Sequence, residues 1–240
     1  MASVLDLHDP SAQSLLRGDT FSNGQRFRFK LSPRPVRRLD LLRQMATGKR
    51  VLHLGFADHL PLIDAKIAKG TWLHAILAEV ATSVTGIDND AEAVAHCRNL
   101  GIGDLHTLDV TTDALPAELD GQTWDLAVLG EILEHVDNPV AFLDGLRRTL
   151  DGRCAEIVIS TPNAFEASNL VRAMRSVEFI NTDHRFWWTP YTLAKVCTRA
   201  GLTVVDLDVC KNYRSTVLAV EPLTQLFPML RDTLVVRCRL

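Results

Sequence analysis

The chain has 240 residues, with 26 Lys and Arg against 29 Asp and Glu, for a formal net charge of −3. This length bounds it to one large domain or one domain with additions, and the near balance of charge gives no global field toward nucleic acid or an anionic membrane. The 47% apolar share can bury a sizeable core, while no apolar run reaches the roughly 18 residues of a membrane span.

From the start of the chain, Met1 to Pro10 carries Asp6, His8 and Asp9 and lacks the basic start and apolar centre of a secretory signal. Ser22-Asn23-Gly24 and Ser32-Pro33-Arg34-Pro35 are turn signals. A helix is predicted over Val36 to Met45, with Leu39, Leu41, Leu42 and Met45 near one side. Residues 1–45 thus read as an N-terminal extension, and residues 46–240 as the sheet domain. The basic runs Arg34 to Arg38 and Arg147-Arg148 read as solvated faces.

Short apolar runs then alternate with helical patterns. Strands are predicted at Val51 to Leu54, Val84 to Ile87, Leu105 to Leu108, Leu126 to Leu129 and Cys154 to Ser160. Helices are predicted at Trp72 to Ala81, at Ala91 to Leu100 behind the capping run Asp88-Asn89-Asp90, and at Asn138 to Leu150 with Pro139 in its first turn. Leu60 to Thr71 is expected to be a connection without an element of its own. A further helix, Pro190 to Ala200, stops at Gly201. Strands at Leu202 to Val209 and Thr233 to Arg239 flank an apolar insert at about 211–231, broken by Pro222 and Pro228. The alternation argues a doubly wound, mainly parallel sheet covered on both faces. The last two strands, with no full helical crossover between them, suit a reversed hairpin at the sheet edge. Cys97, Cys154, Cys197, Cys210 and Cys238 form no Cys-x-x-Cys pair, so neither a zinc knuckle nor a disulfide framework is expected, and a reducing cytoplasm is the simplest home.

In such a sheet, ligands bind outside the carboxyl ends of the strands. Gly55 ends the first strand and permits close backbone approach. Asp88 ends the second and Asp109 the third. Two carboxylates on adjacent strands suit a nucleoside, one for the ribose hydroxyls and one near the adenine amino group. Asp88 could instead cap a helix, a task Asn89 or Asp90 could also take, and Asp109 could be a turn aspartate.

The most specific run is Trp124 to Pro139, WDLAVLGEILEHVDNP. With the two acids it resembles the class I S-adenosylmethionine (SAM) dependent methyltransferases of small-molecule type. Asp125, Glu131, Glu134, His135 and Pro139 match that family's strand-four pattern. Ser160-Thr161-Pro162-Asn163 and Asp183 to Pro190 resemble segments that border its acceptor pocket. The resemblance implies a Rossmann-like, seven-stranded α/β fold. It implies SAM as cofactor, held by Gly55, Phe56, Ala57, Asp88, Asn89, Asp109, Val110, Gly130 and Glu131, with Asp109 meeting the adenine amino group. The chain departs from the pattern in two places: His53 stands where the family has an acid, and Gly55 is the only glycine of the first loop.

The implied activity is methyl transfer to an oxygen or nitrogen of a small-molecule or sugar-like acceptor. The alternative is a catalytically inactive Rossmann-like binding or interaction domain. His135 and His184 are the candidate bases, since imidazole titrates near neutrality; His135 could equally be a structural residue at a helix start. Phe186, Trp187 and Trp188 could wall the site or belong to the core. His53, His59 and His74 lie too far apart in sequence to suggest ligation, so no metal is expected. No nucleic-acid partner and no membrane partner are expected, and homodimerisation stays open.

Overall fold

The computed structural model describes residues 3–110, 113, 115–212 and 220–240. Its sheet is built from β3 (Arg50–Leu54), β4 (Ser83–Asp88), β5 (Leu105–Thr107), β6 (Trp124–Gly130), β7 (Cys154–Pro162), β8 (Thr203–Cys210) and β9 (Thr233–Arg239). The order is β5-β4-β3-β6-β7-β9-β8. All neighbours are parallel except β9, which runs antiparallel to both β7 and β8. The expected reversal is therefore at this end of the sheet, and the reversed strand stands one place in from the edge. The chain winds outward from β3 to β5, then returns to start again at β6. The gap between β3 and β6 is the topological switch point, where such sheets bind ligands.

The strands read as continuous apolar runs because both faces are covered. Successive side chains point to opposite faces. Leu52, Leu54, Leu129, Ile157 and Ile159 join one core with Leu143, Leu146, Leu193 and Cys197. Their sequence neighbours Val51, Val128 and Val158 join a second core with Leu42, Ala46, Leu73 and Leu77. The helices that cover the first face are α6 (Pro139–Thr149) and α8 (Pro190–Arg199); those over the second are α2 (Arg38–Ala46) and α4 (Leu73–Ala78). A smaller core forms where α3 (Leu60–Ala68) and α5 (Ala91–Asn99) pack near Phe56 and Trp72.

Three differences from the sequence expectation stand out. The stretch before α4 is not plain connection: it contains α3, with Pro61 in its first turn. The helix α7 (Ala167–Ala173) also went unforeseen. So did β1 (Val4–Asp6), α1 (Pro10–Arg17) and β2 (Arg26–Arg28) in the first 45 residues, where β1 and β2 pair in parallel. Of the apolar insert, residues 213–219 lie outside the described residues; the remainder holds α9 (Glu221–Leu226) and a short turn at Pro228–Leu230. Arg231 is fully buried and binds these parts together. It donates to the carbonyls of Thr224 at 3.2 Å, Val209 at 3.0 Å, Ser32 at 2.8 Å and Pro33 at 2.9 Å. All five cysteines are free and buried. Among the described residues no helix is long and apolar enough to cross a membrane.

Candidate active site

Because β3, β4, β6 and β7 are parallel, their last residues reach one edge together. A cavity of about 910 Å³ opens there. It brings together eight of the expected site residues: Gly55, Phe56, Asp88, Asn89, Gly130, Glu131, His135 and His184.

Gly55 turns the chain out of β3 with φ of +62°, in the left-handed region. A β-carbon here would run into the Ile132 side chain, which would have to shift. Asp88 accepts the backbone N–H of Ala57 at Oδ2 and of Asp90 at Oδ1, each at 3.0 Å. Partial burial pushes its carboxyl up from the ordinary range, against these hydrogen bonds. Capping of α5 falls to Asp90, whose carboxylate accepts from Glu92 and Ala93 N–H at 3.0 Å each. Asp88 is thereby released from that task and lines the cavity.

Glu131 leaves β6 with φ of +61°, a strained value for a side chain of this kind. Its backbone N–H donates to the Ser160 carbonyl at 2.9 Å. The carboxylate faces Arg38, with Nε to Oε1 at 3.4 Å, and that oxygen is buried without a hydrogen-bond donor. Arg38 itself is 7% exposed and donates from Nε to Ser160 Oγ at 2.9 Å. Gly130 makes room for it: a β-carbon there would meet Arg38 Nη2 at 2.7 Å. Sequence reasoning missed Arg38. The available signal was periodicity, since Leu42 and Ala46, four and eight residues on, lie on the buried face of α2.

His53 fills the place of the usual acid, and its Nδ1 lies 3.2 Å from Nδ1 of His74. One ring donates and the other accepts. Burial first, then His74 and Arg38, pushes His53 well below the usual imidazole value, and burial lowers His74 to about 4. Both rings are therefore neutral, and this end of the cavity carries no acid from β3. His59 stands apart from them, edge-on to His135 with ring centroids 6.4 Å apart.

The far end of the cavity is built from the turn after β6 and the segment before α8. Glu134 is fully buried; Thr161 Oγ1 donates to its Oε2 at 3.0 Å, and Oε1 has no partner. Burial, then the Glu131 charge, pushes its carboxyl up to about 8. His135 Nδ1 lies 2.8 Å from Asp183 Oδ2. The His184 ring meets the His135 ring edge-on, centroids 4.7 Å apart. The three aromatics divide: Trp187 lines the cavity, Trp188 is 4% exposed in the core, and Phe186 packs beside Trp188 at 5.4 Å.

Three expected cofactor residues do not line the cavity. Ala57 is fully buried and offers only its N–H to Asp88. Val110 belongs to the core and its carbonyl accepts from Thr149 Oγ1 at 3.2 Å. Asp109 lies beyond β5, which ends at Thr107, and its backbone is turned onto Asp113, whose Oδ2 accepts its N–H at 3.0 Å. Asp125, from the strand-four pattern, is at the opposite edge of the sheet. There it ion-pairs with Arg50 at 2.8 Å, which holds its carboxyl down to about 2.

Glu134, His135 and His184 each bring one possible ligand atom within 4.8 Å of the others. Burial raises the Glu134 carboxyl, and with Nδ1 on Asp183 it is Nε2 of His135 that is left for a proton or a cation. The cavity also fits SAM. Glu131 Oε1 is a buried oxygen lacking a donor beside a buried guanidinium, an ion-pair floor that matches an amino acid's ammonium and carboxylate.

The fold is that of a class I methyltransferase, an enzyme whose methyl donor is SAM. The chain belongs to the methyltransferase-domain family, whose model matches residues 36–207. It is 28% identical over 202 residues to a ubiquinone biosynthesis O-methyltransferase of Paraburkholderia phymatum, covering 78% of this chain and 75% of that one. Its fold is similar to magnesium protoporphyrin IX methyltransferase of Synechocystis PCC 6803, solved with bound SAH (TM-score 0.53, 14% identity, 84% and 81% of the two chains). It is also similar to the small RNA methyltransferase HEN1 (TM-score 0.56, 15% identity), over 84% of this chain and 24% of that one.

Proposed function

We propose that this chain transfers the methyl group of SAM to an oxygen or nitrogen of a small-molecule or sugar-like acceptor. One observation carries the reading. A single cavity of about 910 Å³ joins Gly55, Asp88 and Glu131 to His135 and His184. That is near the top of the roughly 300–1,000 Å³ range of small-molecule sites, which suits two ligands meeting end to end.

When bound, SAM supplies a methyl carbon activated by a positively charged sulfur. The chain's own residues do the rest. Asp88 holds the ribose hydroxyls, and the Gly55–Phe56 backbone forms the floor. Arg38 and Glu131 take the carboxylate and ammonium of the methionine end. Ile180 and Trp187 line the acceptor side and exclude water. His135 or His184 accepts the acceptor's proton. The name of the Paraburkholderia relative, an O-methyltransferase, favours oxygen over nitrogen. Residues 1–45 act as an extension to a methyltransferase domain over 46–240, which works in the cytoplasm as a monomer or homodimer.

The test is turnover. Purified protein with radiolabelled-methyl SAM is offered phenols, catechols, sugars and amines. Label in a small-molecule product supports the reading; label only in RNA, offered alongside, would replace it.

A further inference from the structure

A second cavity, of about 530 Å³, lies between the N-terminal extension and α8. On β2, Phe27 is half-buried between the exposed Arg26 and Arg28, and Phe29 follows two residues on, so both rings take the inner face. On α8, Tyr191 and Lys195 are four residues apart and share the face that lines the cavity. The Phe27 and Tyr191 rings lie 4.6 Å apart, tilted by 37°. Phe165 comes in from the turn after β7, where the Ala164 N–H donates to the Trp188 carbonyl at 2.7 Å. Phe21 completes the aromatic wall. Rings that served only to fix the extension to α8 would be buried in one another. Phe21 is instead 88% exposed and Phe165 41%.

Lys195 is the only charged residue on that wall. Its ammonium donates to the Leu15 carbonyl, and among the described residues no carboxylate pairs with it. An ammonium has three donors, so two are left for a ligand.

We propose that this cavity is a second ligand site, which takes a flat aromatic ring system carrying a carboxylate. Its volume falls within the roughly 300–1,000 Å³ of small-molecule sites. The aromatic side chains receive the rings by offset or edge-on contact. Lys195 receives the carboxylate by a charge-assisted hydrogen bond. The site is peculiar to this chain's extension: Phe21, Phe27 and Phe29 precede residue 36, where the methyltransferase-domain match begins. It is also separate from the methyl-transfer reading, since none of its residues lines the first cavity.

The probe is 2-naphthoate, titrated against the full chain and followed by ligand-observed NMR. It should bind with a Kd of about 1 mM or tighter. Lys195→Gln, checked for folding by its melting temperature, should weaken that binding at least about fivefold. Lys195→Arg, which keeps the charge, should restore most of it. 2-Naphthalenemethanol has the same rings without the charge, and should bind the native and Lys195→Gln chains alike. Saturating demethylated cofactor product should displace neither probe. If Lys195→Gln melts lower than the native chain, the two probes on the native chain decide: a fivefold preference for the anion, about 1 kcal/mol, supports the site, and equal affinity overturns it. The proposal is also overturned if naphthoate does not bind the native chain saturably. Undiminished binding by a stable Lys195→Gln chain, or displacement by the cofactor product, would place the probe elsewhere and overturn it too.

Discussion

The Asp88 carboxylate accepts the backbone N–H of Ala57 at 3.0 Å, tying the end of β4 to the loop that leaves β3. One side chain so joins the two parts of the proposed nucleoside end. Replacing it by alanine removes charged hydrogen bonds worth roughly 1.5–3 kcal/mol each. Asp88→Ala should weaken SAM binding at least about tenfold, near 1.4 kcal/mol. Calorimetry that finds native affinity in a folded mutant would remove Asp88 from the site.

Gly55→Val should unsettle the fold as well as the cofactor. The new side chain would meet Ile132 in a backbone conformation with φ of +62°. Overpacking and left-handed strain together cost about 2–5 kcal/mol. The melting temperature should fall, and adding Ile132→Ala should recover part of it. An unchanged melting temperature in the single mutant would refute the packing argument.

Glu134 ties stability to pH. Its carboxyl is raised to about 8, chiefly by burial, above the ordinary glutamate value. A raised acid stabilises the fold fully below its unfolded value of about 4.3 and loses that contribution as pH climbs through the folded value. Stability should therefore decline between about pH 4.5 and 8. Glu134→Gln should flatten the decline, which denaturant titrations at a series of pH values can read. An identical slope in the mutant would contradict the assignment.

His135→Ala should slow turnover by about a hundredfold or more, and His184→Ala by less. Chelators should leave native activity intact. Full activity in both mutants would make catalysis a matter of proximity alone. Loss of activity on chelation, with recovery on adding a divalent ion, would turn Glu134, His135 and His184 into a metal site.

Much of the sheet was legible because buried parallel strands are continuous apolar runs between turn signals. Thr233–Arg239 matches its expected bounds in full, and Asp90 caps the helix the sequence marked for it. What escaped was set by tertiary contact. α3 lacks a side-chain cap and has only Ile63 fully buried, so no periodic stripe announces it. Asp109 looked like Asp88 in sequence, yet β5 ends early and the chain folds back on Asp113. Arg38 reaches the cavity from α2, far from the strand ends; the helical period marks it as buried, but nothing local marks what it meets. His53 is the converse case: its departure from the family pattern was plain, but its partner His74 becomes visible only once α4 packs on the sheet.

A crystal structure of the native chain with the demethylated cofactor product tests the central claim most directly. The account predicts that this product lies in the cavity at the ends of β3, β4 and β6. Its ribose should contact Asp88, and its amino-acid end should contact Arg38 and Glu131. Product bound elsewhere on the molecule, or a cavity that stays empty at saturating concentration, would contradict it.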